Sequence, residues 1–139
     1  MSANEKVLVV VGEWVIKAEN DLKTAAYTLR LGKDCPTDTV CFHAQQCVEK
    51  YLKALLTLRG IDFPKTHDIG AVIALVPGRS DFALSIEQQR RLTNYATAAR
   101  YPGWGEIPLG EARQALALAR RVRAAVRRLL PRQALRSRK

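Results

Sequence analysis

His43, Gln46, Lys50 and Lys53 recur at intervals of three, four and three residues. On an α-helix that spacing sets all four along one side. Two ammonium groups, an amide and an imidazole in such a row can meet a nucleotide or an RNA phosphate. The lysines would act as point charges, and Gln46 could hydrogen-bond a base or ribose. The same row can equally be a solvated helix face, with Glu49 and Lys53 forming an i,i+4 ion pair.

Other residues offer related chemistry. His67, in Thr66-His67-Asp68, is either a general acid/base or phosphate ligand or a turn residue. Arg100-Tyr101-Pro102-Gly103-Trp104 joins a planar phosphate-binding fork to two rings that could stack on a base or plug the bundle end. His43, His67 and Arg100 are thus the candidates for catalysis, and Gln46, Lys50, Lys53 and Tyr101 for ligand binding. Asp21 sits at the edge of an apolar stripe, where a carboxylate needs a partner; an arginine or lysine of the bundle, such as Arg100, is the partner expected, with a catalytic carboxylate as the alternative. Arg113, Arg120, Arg121, Arg127 and Arg128 lie off the apolar stripe of their helix and form a candidate RNA or acidic-partner surface, with Arg123 nearer the stripe edge.

Helices must position these groups, because no run of alternating strand residues is present. The first spans about residues 11–31, with Val11, Trp14, Val15, Ala18, Leu22, Ala25, Ala26 and Leu29 at helical spacing and Gly32 as its stop. Val7 to Val10 either extend it or form an arm. The second runs over about 37–59 between Pro36 and Gly60, capped by Thr37 or Asp38. Short 68–76, then 85–99 (with Ile86 as an apolar mark) and 109–130 follow, the last stopped by Pro131. The expectation is an all-α, up-and-down bundle of four main helices plus a short additional one. Residues 1–131 form a single domain, and 132–139 form a basic, frayed tail.

Composition agrees with a small globular domain. The chain has 139 residues, 47% of them hydrophobic, enough for one core without staples. The net charge of +10 is concentrated at one end: residues 1–110 carry 13 basic and 12 acidic side chains, residues 111–139 ten basic and one acidic. The apolar run Val7–Val11 is too short to span a bilayer, so a cytoplasmic protein without membrane attachment is expected. Three cysteines with no C-x-x-C pair, and two histidines, argue against a disulfide framework or a zinc module. No metal and no cofactor are expected.

The stretch from Phe42-His43-Ala44-Gln45-Gln46-Cys47-Val48-Glu49-Lys50-Tyr51 through Leu56, then Gly60 and Pro64-Lys65-Thr66-His67-Asp68-Ile69, resembles the HEPN domain. Trp14, Ala18, Asp21 and Ala25 match its first helix, and Tyr95 with Arg100-Tyr101-Pro102 matches the region before its last helix. The resemblance covers about residues 11–130. It implies a HEPN-like helical bundle, commonly a homodimer, with a role near nucleotides or RNA. Many prokaryotic members look like the partner of a small nucleotidyltransferase in a toxin–antitoxin pair. Some are metal-independent ribonucleases with an arginine and a histidine separated by four to six residues. This chain departs from that spacing: the nearest case, Arg59 and His67, has seven residues between. The expectation is therefore a nucleotide- or RNA-associated module, with an active ribonuclease and a non-catalytic interaction domain as alternatives.

Overall fold

A computed structural model describes residues 1–78 and 82–136. α1, Ala3–Leu29, starts far earlier than the apolar pattern alone suggested. Its beginning is set by a reciprocal cap: Ser2 Oγ accepts from the Glu5 amide at 3.1 Å, and Glu5 Oε1 accepts from the Ser2 amide at 3.2 Å. Val7 to Val10 thus belong to the helix. Val11, Val15, Ala18 and Ala25 turn into the core. Trp14, expected in the core, is half-buried and packs edge-on against Phe63, with ring centres 6.1 Å apart.

α2, Thr37–Leu58, is the central helix and packs against α1, α3 (Ile69–Ala74), α4 (Ile86–Ala96) and α5 (Leu109–Arg127). Its stripe of Val40, Ala44, Cys47, Val48, Tyr51 and Leu55 is fully buried. Pro36 occupies its cap position, while Asp38 Oδ1 accepts from the Thr39 amide at 2.8 Å. It ends where Gly60 adopts φ +69° and the Ile61 amide reaches back to the Leu56 carbonyl, a closure that a side chain at Gly60 would strain.

α3 is capped by Asp68 and α4 by a second reciprocal box, Ser85 with Gln88. Ile86, expected on the apolar face of α4, is exposed instead, because the buried face runs through Gln89, Leu92, Tyr95 and Ala96 and Ile86 lies to one side of it. α4 ends at Ala96, and a tight turn over Ala98–Arg100 follows. On α5, Ala112, Ala115, Leu116, Ala119, Val122 and Val126 face inward as the spacing predicts, and Leu130 beyond it is buried as well. The architecture is an all-α bundle of four long helices with short additions.

The expected frayed tail is corrected over its first half. Arg132–Leu135 form α6, which packs on α1. Ala134 is buried there, and its carbonyl lies so close to Gly12 that a Cβ at Gly12 would stand 3.4 Å from it. Pro131, read as a stop, instead precedes a new helical turn, as proline does well. Residues 137–139 of that tail lie outside the described residues.

Polar contacts set the register of α1, α2 and α5. Arg123 grips Glu19 with two nitrogens at 2.8 and 2.9 Å, Tyr51 donates to Glu19 at 2.5 Å, and Arg127 donates to the Tyr51 hydroxyl at 3.1 Å. Burial alone would raise the Glu19 carboxyl, but the hydrogen bonds from Arg123 and Tyr51 outweigh it and hold it below its usual value. Tyr95 of α4 closes on Glu111 of α5 at 2.6 Å.

Candidate functional site

α2 advances about 100° per residue, which orders six polar side chains around its cylinder as His43, Lys50, Gln46, Lys53, Glu49 and Gln45. The structure divides this arc into two carboxylate-centred groups. In the first, Asp21 reaches across from α1, where the turn carrying Ala18 and Ala25 aims it at α2. Asp21 Oδ1 lies 2.7 Å from His43 Nδ1, and Oδ2 lies 2.6 Å from Lys50 Nζ. A carboxylate only accepts, so His43 donates through Nδ1–H. The expected ion pair of Asp21 with a basic residue of the bundle thus forms with a lysine, Lys50, and not with Arg100.

The second group centres on Glu49, whose side chain is 5% exposed. Its Oε1 accepts from Gln45 at 2.9 Å and from His67 Nδ1 at 2.8 Å, and its Oε2 accepts from Lys53 at 2.9 Å. Gln46 donates to Gln45 at 2.7 Å and joins the group. The Lys53 ammonium also lies 5.5 Å from the Phe63 ring centre and 5.9 Å from that of Trp14. Burial would raise the Glu49 carboxyl, but bonds from Lys53, Gln45 and His67 hold it below its usual value. The i,i+4 reading of Glu49 and Lys53 therefore describes this contact, although the pair is buried rather than on a solvated face.

The candidate residues of α2 thus share one wall, with Lys50 and Lys53 already held by carboxylates. His43 and His67 do not meet: each hydrogen-bonds a different carboxylate. Arg100 belongs to neither group. Its guanidinium carbon lies 4.2 Å above the Phe42 ring, and no hydrogen bond or ion pair engages it among the described residues. Stacking on Phe42 uses the guanidinium face and leaves its in-plane donors available.

Arg100 lines a cleft of about 720 Å³ together with Lys33, Asp38, Tyr101 and Glu106. The first turns of α2 and α5 also border it, and prolines stand at both cap positions with no side-chain cap. The Thr37, Asp38, Leu109 and Gly110 amides have no intrahelical partner, while those of Thr39 and Glu111 turn back to the Pro36 and Pro108 carbonyls, and both helix dipoles present their positive ends. Tyr101 is 71% exposed and Trp104 44%, so neither ring plugs the bundle. Pro36 was read in the sequence as the start of a helix, whereas Lys33 and Pro108 were not singled out, although Pro108 ahead of an apolar run is the same visible signal.

The arginines of α5 separate into two kinds. Arg127 turns inward to Tyr51, which corrects its place on an open surface, and Arg123 is taken by Glu19. Arg113, Arg120, Arg121 and Arg128 are exposed; Arg121 donates to the Ala83 carbonyl at 2.9 Å. All three cysteines are free and buried, and burial pushes the Cys41 thiol up to about 12. Among the described residues no group of three or more His, Cys, Asp or Glu side chains could hold a metal ion, and no helix is long and apolar enough to cross a membrane.

Comparison with known proteins follows the same lines. Curated proteins give no match. The solved structure of TT1696 from Thermus thermophilus is similar over 88% of this chain and 99% of that one, at 29% identity and a TM-score of 0.72. The profile of the HEPN domain matches residues 11–129. With the profile spanning nearly the whole bundle, including both carboxylate groups and the Arg100 turn, the chain belongs to the HEPN domain family.

Proposed function

We propose that this protein is a nucleotide- or RNA-associated binding module, a homodimer that works with a small nucleotidyltransferase in a toxin–antitoxin type of pair. The observation that carries the binding reading is the cleft at Arg100: an unpaired guanidinium, Lys33, an exposed Tyr101 ring and two helix starts face one space. Phosphate oxygens suit the guanidinium and the amides, and a base suits the tyrosine ring. Asp38 and Glu106 lie on the same walls and would disfavour a highly charged anion, so a monophosphate fits better than a triphosphate. The wall of Gln46, Lys50 and Lys53 then serves as the rigid back of the module. The test is calorimetric titration of AMP and ATP into the protein and into Arg100→Ala. Binding of AMP by the parent and its loss in a folded Arg100→Ala supports the reading; equal affinity in both removes the cleft from it.

One observation favours a second reading, a metal-independent ribonuclease. Asp21 orients the His43 ring through Nδ1, as a carboxylate orients a general acid/base histidine. RNA cleavage in EDTA by the parent, absent in a folded His43→Ala/His67→Ala variant, would establish it.

A further inference from the structure

Among the described residues, the exposed face of α5 is rich in arginine. Arg113 and Arg120 form one row on it, and Arg121 and Arg128 a second. Within each row the two arginines are seven residues apart, about 10.5 Å along the axis. Gly110, Ala117 and Ala124 run between the rows and are exposed. Among the described residues α5 puts no acid of its own on this face, since Glu111 is bonded to Tyr95, and Glu87 of α4, which borders it beside Ala117 and Arg121, is paired with Arg91. Arg113, Arg120 and Arg128 have no hydrogen bond or ion pair among the described residues.

We propose that this face docks an acidic helix of a second protein. The inference rests on the two-component reading above, to which it adds the contact surface. Charge complementarity names the occupant. A second copy meeting through the same face would oppose arginine to arginine. The open side of α1 carries Glu13 with Lys17, Lys23 and Arg30, and that of α4 carries Glu87 with Arg90 and Arg91, so neither offers a matching acidic row. The partner is therefore a different chain, rich in carboxylates. Arginine rows flanking a seam of small residues reproduce the arrangement of flanking charges in paired helices, where they set partner choice and orientation. Glycine and alanine in the seam let a second helix approach to the short end of the usual 8–10 Å interaxial range. A polynucleotide would use the arginines and make no use of the seam, and this face carries no aromatic ring for a base.

The test uses the full chain and a fluorescent helix-forming peptide of about 20 residues, the length that matches α5. The peptide has glutamates flanking an alanine seam; its lysine counterpart is the control, and a single-stranded RNA is the competing ligand. Two variants separate charge from shape: Arg113→Glu/Arg120→Glu/Arg128→Glu, and Ala117→Leu/Ala124→Leu. All five positions are exposed, and unchanged circular dichroism confirms folding. If the triple reversal fails to fold, Arg113→Gln/Arg120→Gln/Arg128→Gln takes its place. The acidic peptide binds the parent, and each variant weakens it by about tenfold or more, a change of about 1.4 kcal/mol per decade. No binding of the acidic peptide, or parent-like affinity in either variant, overturns the proposal. RNA bound more tightly than the peptide and indifferent to the leucines assigns the face to a polynucleotide instead. AMP titration of the same variants reads the cleft separately, so failure of the docking surface and failure of the nucleotide reading give different results.

Discussion

Two regions of this protein carry positive charge in opposite ways. Along α2, Lys50, Lys53 and His43, and beside it His67 from the loop before α3, each lie within 3 Å of a carboxylate oxygen, and the acids that hold them are buried. Along α5 and around the cleft, Arg113, Arg120, Arg128 and Arg100 stand in or beside solvent with no such partner among the described residues. Burial explains the first arrangement, because an ion removed from water needs hydrogen bonds on every side. Exposure permits the second, since water serves the same groups at little cost. A row of cations in the sequence therefore says nothing about binding until its partners are known. The α2 row organises the interior, and the α5 row is available.

The contrast can be broken most forcefully at Glu49. Removing it by Glu49→Ala leaves Lys53 buried without its counter-ion, and a loss of about 3–5 kcal/mol in urea unfolding is expected. The double variant Glu49→Leu/Lys53→Leu should recover part of that loss, because the orphaned charge goes with its partner. A single variant as stable as the parent would show that the α2 charges are as free as those of α5.

Acid acts on the same region. The folded-state values of Glu19 and Glu49 lie below their ordinary values, so the folded protein releases these protons more readily than the unfolded chain. The stability they supply is present above about pH 4.5, the ordinary value for glutamate, and declines as pH falls toward their lowered values. Thermal midpoints measured downward from pH 6 should fall through this window, and less steeply in Glu49→Gln. Next in size is Tyr51→Phe, which takes a hydroxyl from between Glu19 and Arg127 and should cost about 1–2 kcal/mol. Smallest is Arg120→Ala on the open face, expected within about 0.5 kcal/mol of the parent. A larger loss there would mean that α5 charges also support the fold.

The helical pattern was readable wherever one side chain per turn decides burial. The inward face of α5 and the fully buried stripe of α2 follow the 3.6-residue spacing closely. Local signals were readable too, including the Glu49–Lys53 contact and the Asp68 and Ser85 starts. The Ser2-x-x-Glu5 box belongs to the same class, yet the valine run after it obscured a helix that the caps alone announce. What the sequence withholds is which helix faces which. Asp21 had to pair with a base, but choosing Lys50 and His43 over Arg100 needs the register of α1 on α2. The cleft is hidden for a similar reason. Lys33 and Pro36 lie far along the chain from Arg100 and Pro108, and the two pairs meet only through the packing of α2 and α5.

The three thiols have a practical consequence. Cys41 and Cys47 have no exposed surface, and Cys35 very little. Burial also holds back the thiolate that a disulfide reagent attacks. Labelling therefore has to wait for the bundle to open. Cys41 and Cys47 sit on the central helix, so the pace at which they become labelled measures how often that helix parts from its neighbours. The fold thus contains its own clock for opening events, one that can be followed at neutral pH without denaturant.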